Sequence, residues 1–112
     1  MSNSPIPKQE LLKAVLEPLL EDFEYWFTRA HNLLESERIL FLSVEEQADL
    51  LERVKIREKE VKTAKILFKT MGEKVGIDTS VLIHWHSLVA QCWQVSMKWR
   101  SYSENTPPFS GS

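Results

Sequence analysis

The sequence predicts an all-α chain folded as an up-down-up antiparallel three-helix bundle with long helices. Three observations carry that prediction. Apolar residues recur at alternating spacings of three and four in three separate segments, which is the period of a helix with one buried face. The segments are rich in Leu, Glu and Lys and nearly free of breakers, so propensity agrees with periodicity. The two links between them are short, which favours antiparallel neighbours. At 112 residues, with 43% hydrophobic and 27% charged side chains, the chain has the size and composition of one folded domain.

Residues 1–7 read as a flexible leader ended by Pro5 and Pro7, residues 8–102 as the bundle, and residues 103–112 as a flexible tail. The first helix is expected from about Lys8 to about Glu37. Leu12, Leu16, Leu19, Phe23, Trp26, Ala30 and Leu33 form its stripe, with Leu20, Phe27 and Leu34 as a second row beside it. Together the rows are wide enough to face two neighbours. Pro18 lies inside the pattern and removes one N–H, so a bend is expected there. The stripe keeps its phase across Pro18, which argues for one helix and not two.

The second helix is expected from Ser43. Ser43-Val-Glu-Glu46 fits a capping box, in which hydroxyl and carboxylate each satisfy the other residue's backbone N–H. Val44, Ala48, Leu51, Val54, Val61, Ala64, Phe68 and Met71 form the stripe, interrupted by charge at Arg57 and Glu58. Gly72 suits the position just past the helix end. Antiparallel geometry places Arg57 level with Glu21 and Asp22, where an ion pair is expected. The third helix starts after Asp78 or Thr79, either of which can cap it. Val81, Trp85, Leu88, Cys92, Val95, Trp99 and Tyr102 form its stripe. Three of the four tryptophans fall between Trp85 and Trp99. So aromatic a helix packs deeply in its own protein or meets a partner.

The formal net charge is −2, which gives no overall basicity to suggest nucleic acid. From Arg53 to Lys74 there are eight Lys or Arg against three Glu, but the acids interleave at pairing distance, as in an ordinary solvated face. Peripheral contact with an anionic membrane through this stretch is a lesser alternative. No apolar run approaches the ~20 residues of a membrane-spanning helix, and no secretory leader is visible at Met1-Ser-Asn-Ser. The expected location is cytoplasmic.

No motif carries chemistry. His84 and His86 are two apart and point to opposite flanks, and no Cys-x-x-Cys or His-Glu-x-x-His exists, so neither metal nor cofactor is expected. Cys92 lies on an apolar seam, where a thiol is raised in pKa and serves as a filler. No phosphate loop, nucleophile elbow or dinucleotide fingerprint is present. The expectation is a protein that is not an enzyme.

Four apolar residues, Ile39-Leu-Phe-Leu42, occupy the first link, although links are normally polar. In an up-down-up bundle the end of the third helix arrives beside them. Ile39, Leu40, Phe41, Leu42, Trp99 and Tyr102, with Arg100 on the rim, either close the bundle end or form a partner-binding surface.

The runs Leu11-Leu-Lys-Ala-Val-Leu-Glu-Pro-Leu-Leu-Glu-Asp-Phe23, Leu33-Leu-Glu-Ser-Glu-Arg-Ile39, Phe41-Leu-Ser-Val-Glu-Glu-Gln-Ala-Asp-Leu-Leu51 and Trp85-His-Ser-Leu-Val-Ala-Gln-Cys-Trp93 resemble a small family of cyanobacterial proteins of unknown function, from about residue 8 to residue 100. The resemblance carries over no catalytic residue. It implies a photosynthetic bacterium and an intracellular address. The expected function is therefore a non-catalytic helical adaptor or regulatory protein that binds another protein, tied to the photosynthetic machinery. The alternative is a small bundle that binds an apolar ligand or pigment among Trp26, Trp85, Trp93 and Trp99. A monomer or weak dimer is expected, because a monomeric bundle uses the whole wide stripe of the first helix.

Overall fold

The computed structural model describes residues 8–71 and 77–105, with side chains for 14–71 and 77–103. Three helices form it: α1 (Lys8–Ser36), α2 (Val44–Met71) and α3 (Thr79–Asn105), with no strand among the described residues. At ~1.5 Å per residue each is about 40 Å long. The chain is an all-α three-helix bundle. α1 is its centre, with α2 and α3 each packing along it and approaching one another less closely. α1 runs through Pro18 without interruption, as its in-phase stripe requires. The expected leader, residues 1–7, lies outside the described residues, as do Gly72 and residues 106–112 of the expected tail. Residues 103–105, assigned to that tail, are the last residues of α3.

Both helix starts are capped by the expected chemistry. Ser43 Oγ accepts from the Glu46 N–H at 3.0 Å, and Glu46 Oε1 accepts from the Ser43 N–H at 2.7 Å. Of the two candidate caps for α3, Asp78 takes the role, its Oδ1 accepting from the Ser80 N–H at 2.8 Å. The bonds from the Ser80 backbone and hydroxyl hold the Asp78 carboxyl below its usual value.

The core consists of Leu16, Leu20, Phe23, Phe27, Ala30, Leu34 and Ile39 from α1 and the turn, Leu50, Val54, Val61 and Phe68 from α2, and Trp85, Leu88 and Cys92 from α3. Most of the expected stripe is therefore inside, but α1 is turned about its axis relative to it. The row Leu20–Phe27–Leu34 is at the centre of the core, while Leu19 and Leu33 are only half-buried. Trp26, expected to be buried, is 38% exposed. It lies on the edge facing α3, where the helices leave a groove open. Leu12 lies outside the residues with described side chains.

In α2 the expected Val44, Ala48 and Met71 are exposed, and Leu51 and Ala64 are half-buried. Gln47, Leu50 and Glu58 face inward instead. The strict heptad Gln47–Val54–Val61–Phe68 marks the true seam. α2 leans mainly on one neighbour, so its buried strip is narrow, and a small rotation decides which residues it includes.

The expected ion pair of Arg57 with Glu21 or Asp22 does not form. Arg57 turns along its own helix to Glu60 at 2.9 Å. The α1–α2 seam is crossed by Lys65 to Glu24 at 2.6 Å and by Glu58 to His31 at 2.8 Å. The register thus differs from the one drawn from the turn alone. Part of the reason is that helical side chains lean toward their own N-terminus, so in an antiparallel pair long side chains meet beyond the level of their backbones.

Candidate functional site

The turn between α1 and α2 begins from a backbone problem. The last carbonyls of a helix have no partner within it. Gln47 solves this from the first turn of α2. Its Nε2 donates to the carbonyls of Leu34 at 2.9 Å and Glu37 at 2.7 Å, and its Oε1 accepts from the Ile39 N–H at 2.9 Å and from Arg38 Nη1 at 2.8 Å. Arg38 also donates to the carbonyls of Ile39 and Leu42. Ile39 is thereby pinned into the core with no exposure. Leu40, the next residue, is left 61% exposed.

Phe41 and Leu42 are half-buried against the core. The Phe41 ring is 6.2 Å from Trp99 and 6.3 Å from Tyr102, and Trp99 and Tyr102 stack at 5.5 Å. Lys98 Nζ lies 4.6 Å above the Phe41 ring, at cation–π distance. The structure thus brings together Leu40, Phe41, Leu42, Trp99 and Tyr102 at one bundle end, as topology requires. Ile39 is the anchor beneath that patch and not part of its surface.

Arg100 points to a second feature, a groove of about 510 Å³ between α1 and α3. Trp26, Trp93 and Trp99 line it, with Arg29 and Arg100. Trp93 is 51% exposed. Trp85, grouped with these three in the sequence reading, is buried elsewhere. It packs edge-on against Phe23 at 5.5 Å, and its Nε1 donates to Glu60 at 2.9 Å.

A polar seam separates α1 from α2. Glu58 is almost wholly buried and accepts from Thr28 Oγ1 at 2.9 Å, with His31 Nδ1 at 2.8 Å and Lys62 Nζ at 3.7 Å. Burial pushes its carboxyl up. The bonds from His31 and Thr28 and the Lys62 charge outweigh that and hold it below the ordinary 4.5. The linkage is then definite: Glu58 contributes stability above pH 4.5, and that contribution is lost as pH falls through the lower folded value. Acid unfolding of wild type and Glu58→Gln should show it, with the wild-type curve falling more steeply below pH 4.5. Parallel curves would mean that the contacts do not favour the ionised form. Glu60, also held low through Trp85 and Arg57 despite burial, leaves residual acid sensitivity in the variant.

The remaining titratable groups offer little chemistry. His84 and His86 are exposed on opposite flanks of α3. Cys92 is buried, and burial pushes its thiol up to about 11, the reverse of what a nucleophile needs. Among the described residues no group of three or more His, Cys, Asp or Glu could hold a metal ion, and no helix is long and apolar enough to cross a membrane.

Over residues 6–101 the chain matches the family described as protein of unknown function (DUF2605). The chain belongs to the DUF2605 family. No curated protein and no solved structure matches it. The span shared with DUF2605 takes in the whole α1–α2 turn, the groove and the polar seam. Tyr102 is the one member of the aromatic end that falls just beyond it. The DUF2605 description assigns no role to any residue, which leaves the aromatic patch and the groove as the candidate sites. Sequence reasoning missed Gln47 as an inward-facing residue, although the heptad through it was an available signal. It placed Arg57 and Glu58 on or beside the inner face, and of the two Glu58 is buried. What it did not identify are the partners of Glu58, His31 and Thr28 in another helix.

Proposed function

We propose that this protein is a non-catalytic helical adaptor or regulatory protein that binds another protein through the aromatic bundle end. One observation carries the reading: Phe41, Trp99 and Tyr102 are drawn from distant parts of the chain into one cluster, while Leu40 beside Phe41 in the chain stays 61% exposed. Aromatic residues and arginine are what binding hot spots favour, and Arg100 follows Trp99 directly. A buried, high-pKa cysteine supports the absence of catalysis. The cations of α2 support the absence of a nucleic-acid role. Arg53, Lys55, Arg57, Lys62 and Lys65 are each within ion-pair distance of an acid, which also weakens membrane docking through this helix. The proposed setting is the cytoplasm of a cyanobacterium, close to the photosynthetic machinery, with the protein a monomer or weak dimer.

Leu40→Glu tests this. Leu40 is exposed, so the melting curve should stay close to wild type, since surface changes are usually within about 0.5 kcal/mol. Recovery of the partner from native cells by the tagged chain should be lost. Equal recovery by both proteins would place the partner elsewhere.

A second reading has its own observation. Trp26, Trp93 and Trp99 share the α1–α3 groove, as a site for an apolar ligand or pigment requires. Absorbance or additional mass in protein purified from its native cell supports this reading.

A further inference from the structure

We propose that the α1–α3 groove binds a small amphiphile, an apolar chain or ring system that carries a carboxylate. The proposal rests on the second reading above and adds the class of ligand. At about 510 Å³ the groove is the size of a small-molecule site. Its walls are the indole rings of Trp26, Trp93 and Trp99, and its floor is the buried pair Ala30 and Cys92. Trp93 and Trp26 are left 51% and 38% exposed, so the ligand's tail has apolar area to cover.

The charge at the groove selects the head group. Arg29 and Arg100 both line it, both are exposed, and no carboxylate lines it. Arg29 is fixed in place by aromatic groups. Its guanidinium lies 5.7 Å from the Tyr25 ring centre and 5.8 Å from that of Trp26, and donates to Tyr25 Oη at 2.9 Å. That bond uses one of five N–H donors. Among the described residues neither arginine has an acid within 4.0 Å, whereas five cations of α2 do. Uncompensated guanidinium charge thus adjoins uncovered indole. A carboxylate accepts from the planar guanidinium forks while the tail lies along the rings. A neutral oil would leave the forks unused. A partner helix, about 10–12 Å across, would lie over a groove of this size and not within it.

The test titrates the full chain with decanoate and with decanol, both below micelle formation, and follows tryptophan emission. Decanoate should saturate one site with a blue shift as Trp93 leaves water, and decanol should bind about tenfold more weakly or worse. The double variant Arg29→Gln with Arg100→Gln should weaken decanoate about tenfold and leave decanol unchanged. Ser96→Phe, at a half-buried lining position, should fill the groove and abolish both. Melting curves confirm that each variant is folded, and the arginine variant stands alone should Ser96→Phe unfold the chain. Decanol binding as tightly as decanoate overturns the acidic head while leaving an apolar site. Binding of neither overturns the apolar-ligand reading as well. Decanoate binding that survives the arginine substitutions overturns the proposal by placing the site elsewhere. Leu40→Glu should not alter the titration, which keeps the protein-binding reading separate.

Discussion

Gln47→Leu is expected to lower folding stability by about 3 kcal/mol, although leucine matches glutamine closely in size. The effect is polar and not volumetric. Gln47 uses both its donors on the carbonyls of Leu34 and Glu37, and its oxygen accepts from Ile39 and Arg38. Leucine leaves the Leu34 and Glu37 carbonyls and the Ile39 N–H without that partner, and each of the two buried orphans, at Leu34 and Ile39, costs about 1–3 kcal/mol before relaxation or water entry. Small domains hold only about 5–15 kcal/mol in total, so the loss is large. Urea denaturation of both proteins checks it, as a lower midpoint at unchanged slope. A midpoint equal to wild type would show that the turn finds other partners. Because Gln47 also holds Ile39 in the core, and Leu40 and Phe41 follow directly, partner recovery should fall with stability in this variant.

Trp85→Ala should cost more, about 4 kcal/mol, the usual range for removing a large buried aromatic. Trp85 is the largest fully buried side chain and touches both neighbouring helices, Phe23 through its ring and Glu60 through its Nε1. Trp85→Phe should keep most of the packing but lose the bond to Glu60, for about 1–2 kcal/mol. Fluorescence gives an independent reading. Trp85 is sheltered while Trp93 and Trp26 are partly in water, so folded Trp85→Phe should emit further to the red than wild type. An unchanged spectrum and an unchanged midpoint would together show that Trp85 does not tie α3 to the other two helices.

How much of this was legible in the chain varies by element. The capping box at Ser43 depends on residues three apart, so sequence alone specified it, and for α3 the same local chemistry narrowed the cap to Asp78 or Thr79, of which the structure uses Asp78. The meeting of Phe41 with Trp99 and Tyr102 followed from topology, because a helix of known length must bring its end to a known place. The rotation of α1 was not legible. Both of its apolar rows satisfy the helical period, and only the positions of α2 and α3 decide that Leu20, Phe27 and Leu34 face the centre while Trp26 borders the groove.

The sequence by itself determined that three long helices form, where two of them start, and which end collects the aromatic residues. Those properties follow from local hydrogen bonding and a hydrophobic period that the chain carries within each segment. Tertiary structure alone decided that Glu58 and not Arg57 is the buried member of the charged break, which carbonyls Gln47 holds, and that Trp85 is parted from the other three tryptophans. The physical reason is desolvation. A polar or charged side chain can be buried only where partners wait for it, and the partners of Gln47 and Glu58 are contributed by another helix or by the turn, so the period of α2 marks the position but not what satisfies it.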